Sequence, residues 1–227
     1  MNDIFTPQPD IVTAGTDFAI SMTAVVFACM LARKHTAAGF TRKMCLLMLA
    51  AVFAAGISGA ALHGLAAVSE SFAAEQIIRV FTAACIGGIA VPVVYICAYC
   101  ASGEKRISVF EAGVLILWAL TVIFAVVSAI GGGRAFGSVY IYAAVCIAFA
   151  AGSGIYCVLS GRTKEMIYLL ICIAAAGIGI MVQNMLAEDK TLKLVLQFNR
   201  SGLAHLAVMA TMPLVYIWCD RIISRYK

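Results

Sequence analysis

The chain has 227 residues, 63% hydrophobic and 12% charged, and a mean hydropathy of +1.01. Soluble domains run at about 45–50% apolar and about 25% charged, which excludes a soluble enzyme and a disordered chain. The net charge of +5, spread over connections, argues against nucleic acid as a partner.

At about 20 apolar residues per membrane span, this length holds about seven spans. Seven apolar stretches occupy about 14–32, 44–67, 77–101, 107–130, 138–159, 166–187 and 199–220. Backbone groups in lipid must bond internally, so each stretch is expected to be helical. The residues before the first stretch carry no Lys or Arg, unlike the start of a cleaved signal. Asp17 lies ~5 Å into that stretch at ~1.5 Å per residue, and Arg33 and Lys34 close it. The second stretch carries Ala55, Gly59 and His63 in one four-residue row and Gly56, Ala60 and Gly64 in another. Such rows permit close helix approach, within the chain or between copies. Glu70, Glu75 and Arg79 sit in or beside the next connection, and Glu75 and Arg79 have the spacing of a helix-surface ion pair. The third stretch contains Pro92, expected to kink it, and the pair Cys97-Ala-Tyr-Cys100. Glu111 opens the fourth stretch, and Tyr140 and Tyr142 open the fifth. Asn184 stands near the end of the sixth. Asn199, Ser201 and His205 open the seventh, which also holds Pro213. The loops are too short for a second domain, so residues 1–227 read as one all-α domain, a seven-helix integral membrane bundle.

Lys and Arg set the orientation. With the N-terminus outside, Arg33, Lys34, Arg42, Lys43, Lys105, Arg106, Arg162, Lys164, Arg221, Arg225 and Lys227 lie inside, eleven of the sixteen. Arg79, Arg134, Lys190, Lys193 and Arg200 lie outside. The bias places the N-terminus outside and the C-terminus inside, which requires an odd number of spans. A small chain with short loops suits the inner (plasma) membrane of a bacterium.

Ionisable groups inside spans are costly and are functional candidates by default. Asp17, His63, His205, Asn184, Asn199, Glu70, Glu75 and Arg79 all fall in one outer layer. Two imidazoles and a carboxylate at one depth suit a zinc ion with an open position, with Glu70 placed to take a proton. Asp17 would serve as ligand or proton carrier, or simply reach water at headgroup level. Asn199 would serve as third ligand or as helix cap. Arg79, Tyr140, Asn184 and Ser201 are candidate substrate contacts. The rival readings for His63 and His205 are interhelical hydrogen bonds, a haem, or ion conduction. The nine cysteines all lie in or at the ends of spans and read as core packing. No phosphate-binding P-loop and no H-E-x-x-H motif is present.

The seventh stretch begins Phe198-Asn-Arg-Ser-Gly-Leu-Ala-His205-Leu, and the second ends Ser58-Gly-Ala-Ala-Leu-His63-Gly. With seven spans, this resembles the CREST superfamily of alkaline ceramidases and adiponectin receptors. It resembles more closely an uncharacterised bacterial seven-helix branch with an F-N-x-x-x-x-x-H start to its last helix. The resemblance implies a zinc-dependent membrane hydrolase cutting amide or ester bonds in lipids. It matches His63 to the family's second-helix ligand and His205 to the second His of H-x-x-x-H. The first His of that motif falls on Ser201, so Asp17 or Asn199 has to complete the site. The family's serine falls on Gly59, beside Ser58. The leading expectation is a metal-dependent hydrolase acting on a lipid or lipid-linked molecule from the outer leaflet. The alternatives are a small-molecule or ion transporter or channel, and a ligand-binding subunit of a larger membrane complex.

Overall fold

The structure, a computed structural model, describes residues 9–68, 72–103, 108–131, 137–185, 192–193, 197–198 and 200–226. Its seven helices are α1 (Pro9–Lys34), α2 (Phe40–Val68), α3 (Phe72–Ser102), α4 (Ser108–Ile130), α5 (Gly137–Leu159), α6 (Met166–Met185) and α7 (Arg200–Arg225). Among the described residues, six helices are long and apolar enough to cross a membrane, and α6 adds a shorter apolar run, Met166–Gly179. The chain therefore has the length and hydropathy of a membrane-spanning helical bundle. α1, α2, α3 and α7 extend beyond the apolar stretches at one or both ends, because helical hydrogen bonding continues into the polar flanks. α3 and the turn after α5 end at Gly103 and Gly161, whose φ angles of 72° and 70° are open to glycine at little steric cost.

One departure from an all-helical chain lies between α6 and α7. Strands β1 (Leu192–Lys193) and β2 (Gln197–Phe198) pair antiparallel, Leu192 opposite Phe198 and Lys193 opposite Gln197. β2 packs against α1 and α7.

Neighbouring helices run α1–α2–α3–α5–α6–α7 and back to α1, with α4 packed outside on α3 and α5. α1 and α7 are parallel: Asp17 faces His205, Phe27 meets Tyr216, and Lys34 pairs with Asp220. α1 therefore begins and α7 ends at opposite ends of the bundle. The main core joins α1, α2, α3, α5, α6 and α7 through residues such as Leu31, Leu49, Ile96, Met166, Trp218 and Ile222. All of these lie in the half of the bundle where α7 ends. Cys45, Cys97, Cys100, Cys157 and Cys219 belong to this core, so these five cysteines pack as small apolar groups. On α4, Ile116, Phe124, Val127 and Ile130 are exposed. Such a continuous apolar surface has a natural solvent in lipid.

Candidate functional site

The other half of the bundle holds a buried carboxylate between two imidazoles. Asp17 comes from α1, His63 from the last turns of α2, and His205 from the second turn of α7. Asp17 is 7% exposed. Its Oδ1 lies 3.3 Å from His205 Nδ1, and its Oδ2 lies 4.0 Å from His63 Nε2. The two rings meet edge to face with centroids 6.0 Å apart. Because α1 starts at Pro9, Asp17 sits ~12 Å along its helix at ~1.5 Å per residue, deeper than the apolar pattern alone implies.

Small residues on α2 let the carboxylate in. A Cβ on Gly59 would stand 2.7 Å from Asp17 Oδ2, and one on Gly56 would stand 2.7 Å from the Asp17 carbonyl oxygen. Real Cβ contacts do not come this close, so both glycines are needed for the α1–α2 approach. Ser21 adds a hydrogen bond to the Phe53 carbonyl at 3.0 Å.

Thr16 bears on the proton of His205. Its hydroxyl donates to the Thr13 carbonyl at 2.7 Å and lies 3.3 Å from His205 Nδ1. With its own proton engaged, Thr16 Oγ1 is an acceptor, which favours the tautomer with Nδ1–H and a lone pair on Nε2. Asp17 Oδ1 lies on the same side of the ring. Asp17 Oδ2 is buried without a hydrogen-bond partner among the described residues. A buried oxygen of that kind is costly unless something pairs with it.

The donor types, one carboxylate oxygen and two ring nitrogens, are those zinc takes. Among the described residues, no group of three or more His, Cys, Asp or Glu already stands at ligand spacing. Donors around a tetrahedral zinc are about 3.3 Å apart, and two rings sharing it have centroids about 5 Å apart. The observed 4.0 Å and 6.0 Å both exceed those values, so the three side chains offer zinc's donor types without standing at zinc-ligand spacing.

The remaining sequence candidates are scattered. Glu70 and Asn199 lie outside the described residues, as do the side chains of Glu111 and Asn184. Ser201 is half-buried on α7, one turn before His205. Arg79 is held by Glu75 one turn earlier on α3, with Nε to Oε1 at 2.8 Å and a second bond from Nη2, so the ion-pair reading of these two residues holds. Tyr140 is exposed on α5, a helix that packs on α3, α4 and α6 and not on the helices that carry Asp17, His63 and His205. Thr16 escapes a reading of sequence alone, because a threonine in a span carries no signal until its neighbours are known, and Gly59, legible as part of a small-residue row, is not legible as the neighbour of the Asp17 carboxylate.

No curated protein and no solved structure matches the chain. A family model described as a family of unknown function, DUF6962, matches residues 12–222. The chain belongs to that family.

Proposed function

We propose that the protein is a metal-dependent membrane hydrolase acting on a lipid or lipid-linked amide or ester. The observation that carries this reading is Asp17 Oδ2, buried between His63 and His205 without a hydrogen-bond partner among the described residues. Asp17, His63 and His205 would hold zinc, with Asn199 available as a further ligand. When bound, zinc supplies Lewis-acid polarisation of a carbonyl oxygen. Thr16 and Asp17 Oδ1 orient the His205 ring, the kind of support that metal-ligating histidines usually have. Gly59 keeps the space into which the carboxylate projects. Glu70 would accept the proton, and Ser201 would contact substrate from the first turn of α7. The excess of Lys and Arg at the opposite end supports an N-terminus outside and a site in the outer leaflet, which in the proposed reading is that of a bacterial inner membrane. A substrate already in that leaflet would reach the site sideways, between helices.

A transporter would need polar positions continuing past the site. The far half of the bundle is instead filled by the apolar core around Leu49, Ile96 and Trp218, which favours a site closed at one end.

Metal content tests the proposal. Protein purified in mild detergent, without added metal or a His-tag, is expected to carry about one zinc per chain. His63→Ala and His205→Ala are expected to lose it, together with release of fatty acid from a lipid amide or ester. Folded wild-type protein that takes up no zinc when zinc is offered would overturn the reading. An iron content with a haem absorption band would replace it with electron transfer.

A further inference from the structure

The end of the bundle away from Asp17 holds a second polar cluster, which the proposed chemistry does not use. A cavity of about 120 Å³ lies between the α1–α2 connection and the end of α7, lined by residues including Lys34, His35, Gly39, Thr41, Arg42 and Tyr226. Pockets that take a whole metabolite run to about 300–1,000 Å³, so this space suits one small polyatomic group.

Of its Lys and Arg lining residues, one is paired and one is not. Asp220 on α7 accepts from Lys34 Nζ at 2.8 Å and faces His35 Nε2 at 2.8 Å, so its carboxylate is already engaged by two partners. Arg42 has no carboxylate partner among the described residues. Its Nε is buried without a hydrogen-bond partner, and Nη2 reaches the Ala32 carbonyl only at 3.5 Å. A guanidinium left this way lacks the paired acceptors that its fork geometry matches best.

The backbone adds donors. The first helical bond of α2 runs from Lys43 N–H to the Gly39 carbonyl at 3.1 Å, so the N–H groups of Phe40, Thr41 and Arg42 have no carbonyl within the helix. Gly39 in the capping position brings no side-chain acceptor to serve them. The frame is built from contacts rather than left to a loose loop. Phe40, Tyr99 and Tyr226 form a run of ring contacts at 5.3 and 5.1 Å, and Tyr226 Oη meets Thr163 Oγ1 at 2.5 Å.

We propose that this cavity binds a phosphate group, with Arg42 as its charged contact and the first-turn N–H groups of α2 as its hydrogen-bond donors. The phosphate can come from a phospholipid headgroup of the adjoining leaflet or from free inorganic phosphate. Both sources present the same tetrahedral oxyanion, and a helix start with an adjacent guanidinium suits it.

The test uses the full chain, stripped of lipid in an uncharged detergent. Inorganic phosphate and short-chain phosphatidylglycerol are titrated separately by calorimetry against wild type, Arg42→Gln and Lys43→Gln, the last being an exposed neighbour outside the cavity. Wild type is expected to bind at least one of the two. Arg42→Gln is expected to bind at least tenfold more weakly, and Lys43→Gln to match wild type. Binding of phosphatidylglycerol alone assigns the site to a lipid headgroup, whereas binding of inorganic phosphate with competition between the two assigns it to the free ion. A wild-type protein that binds neither, or an Arg42→Gln variant that binds as wild type does, overturns the proposal. A second readout needs no variant: phosphate or phosphatidylglycerol should slow modification of Arg42 by phenylglyoxal, read by mass spectrometry. An unchanged rate counts against the site.

Discussion

At the residue scale, the candidate centre depends on what is missing from α2 as much as on the three polar side chains. A methyl group at position 59 would stand 2.7 Å from Asp17 Oδ2 and push the carboxylate from its place between the imidazoles. Gly59→Ala is therefore expected to weaken zinc binding by at least tenfold while leaving the far-ultraviolet helical signal unchanged. A competitive zinc titration checks it, and wild-type affinity in the variant would remove Gly59 from the account. Asp17, His63 and His205 are legible in the sequence because a charge or an imidazole inside an apolar span stands out against its surroundings. Their convergence is not legible, since three residues at one depth can face three directions. No pattern in the chain announces Thr16, whose role exists only through its neighbours, and the small-residue row announces Gly59 as a place of close approach without naming Asp17 as what approaches.

At the element scale, α1 and α2 pack extensively on each other among the described residues, and Gly56 sets their closeness. A Cβ there would press on backbone atoms, at 2.7 Å from the Asp17 carbonyl oxygen and 3.3 Å from the Ser21 nitrogen, and backbone cannot swing aside as a side chain can. Gly56→Ala is expected to cost about 1–3 kcal/mol. Gly152 on α5 has nothing within 4 Å of a built Cβ. There the same substitution is expected to be neutral or to gain about 0.5–1 kcal/mol, the ordinary advantage of alanine over glycine in a helix. Thermal unfolding of the two variants in one detergent compares the signs, and equal shifts would show that the α1–α2 approach does not depend on position 56. The seven helices are legible from hydropathy, because apolar length is the quantity a bilayer selects. Helix ends are less so. α1 starts at Pro9 rather than near residue 14, and β1 and β2 form where only a connection is expected, since hydrogen bonding at the ends is governed by local polar partners and not by hydropathy.

At the scale of the whole molecule, the two ends differ in kind. The half around Trp218 and Ile222 is packed with apolar side chains from six helices, while the other half carries the buried carboxylate and its two imidazoles. Charge adds a second asymmetry. The basic excess lies at the packed end, and the positive-inside rule predicts that this end faces the cytoplasm. A fluorescent protein fused after Lys227 is therefore expected to mature and fluoresce in a bacterial host, and alkaline phosphatase fused at the same point is expected to be inactive. The reverse pattern would invert the orientation and move the site to the inner leaflet. The sequence carries this polarity openly because it resides in the polar end turns of α1, α2 and α7 and in the α5–α6 connection, outside the apolar stretches.

The pairing of α1 with α7 has a consequence for how the molecule is made. α1 leaves the ribosome well before α7, and its buried Asp17 faces His205 on α7. Throughout synthesis of the intervening helices, Asp17 lacks its partner from α7. Completion of the polar centre thus waits on synthesis of α7, and a chain that stops before α7 retains the carboxylate without the imidazole that faces its Oδ1.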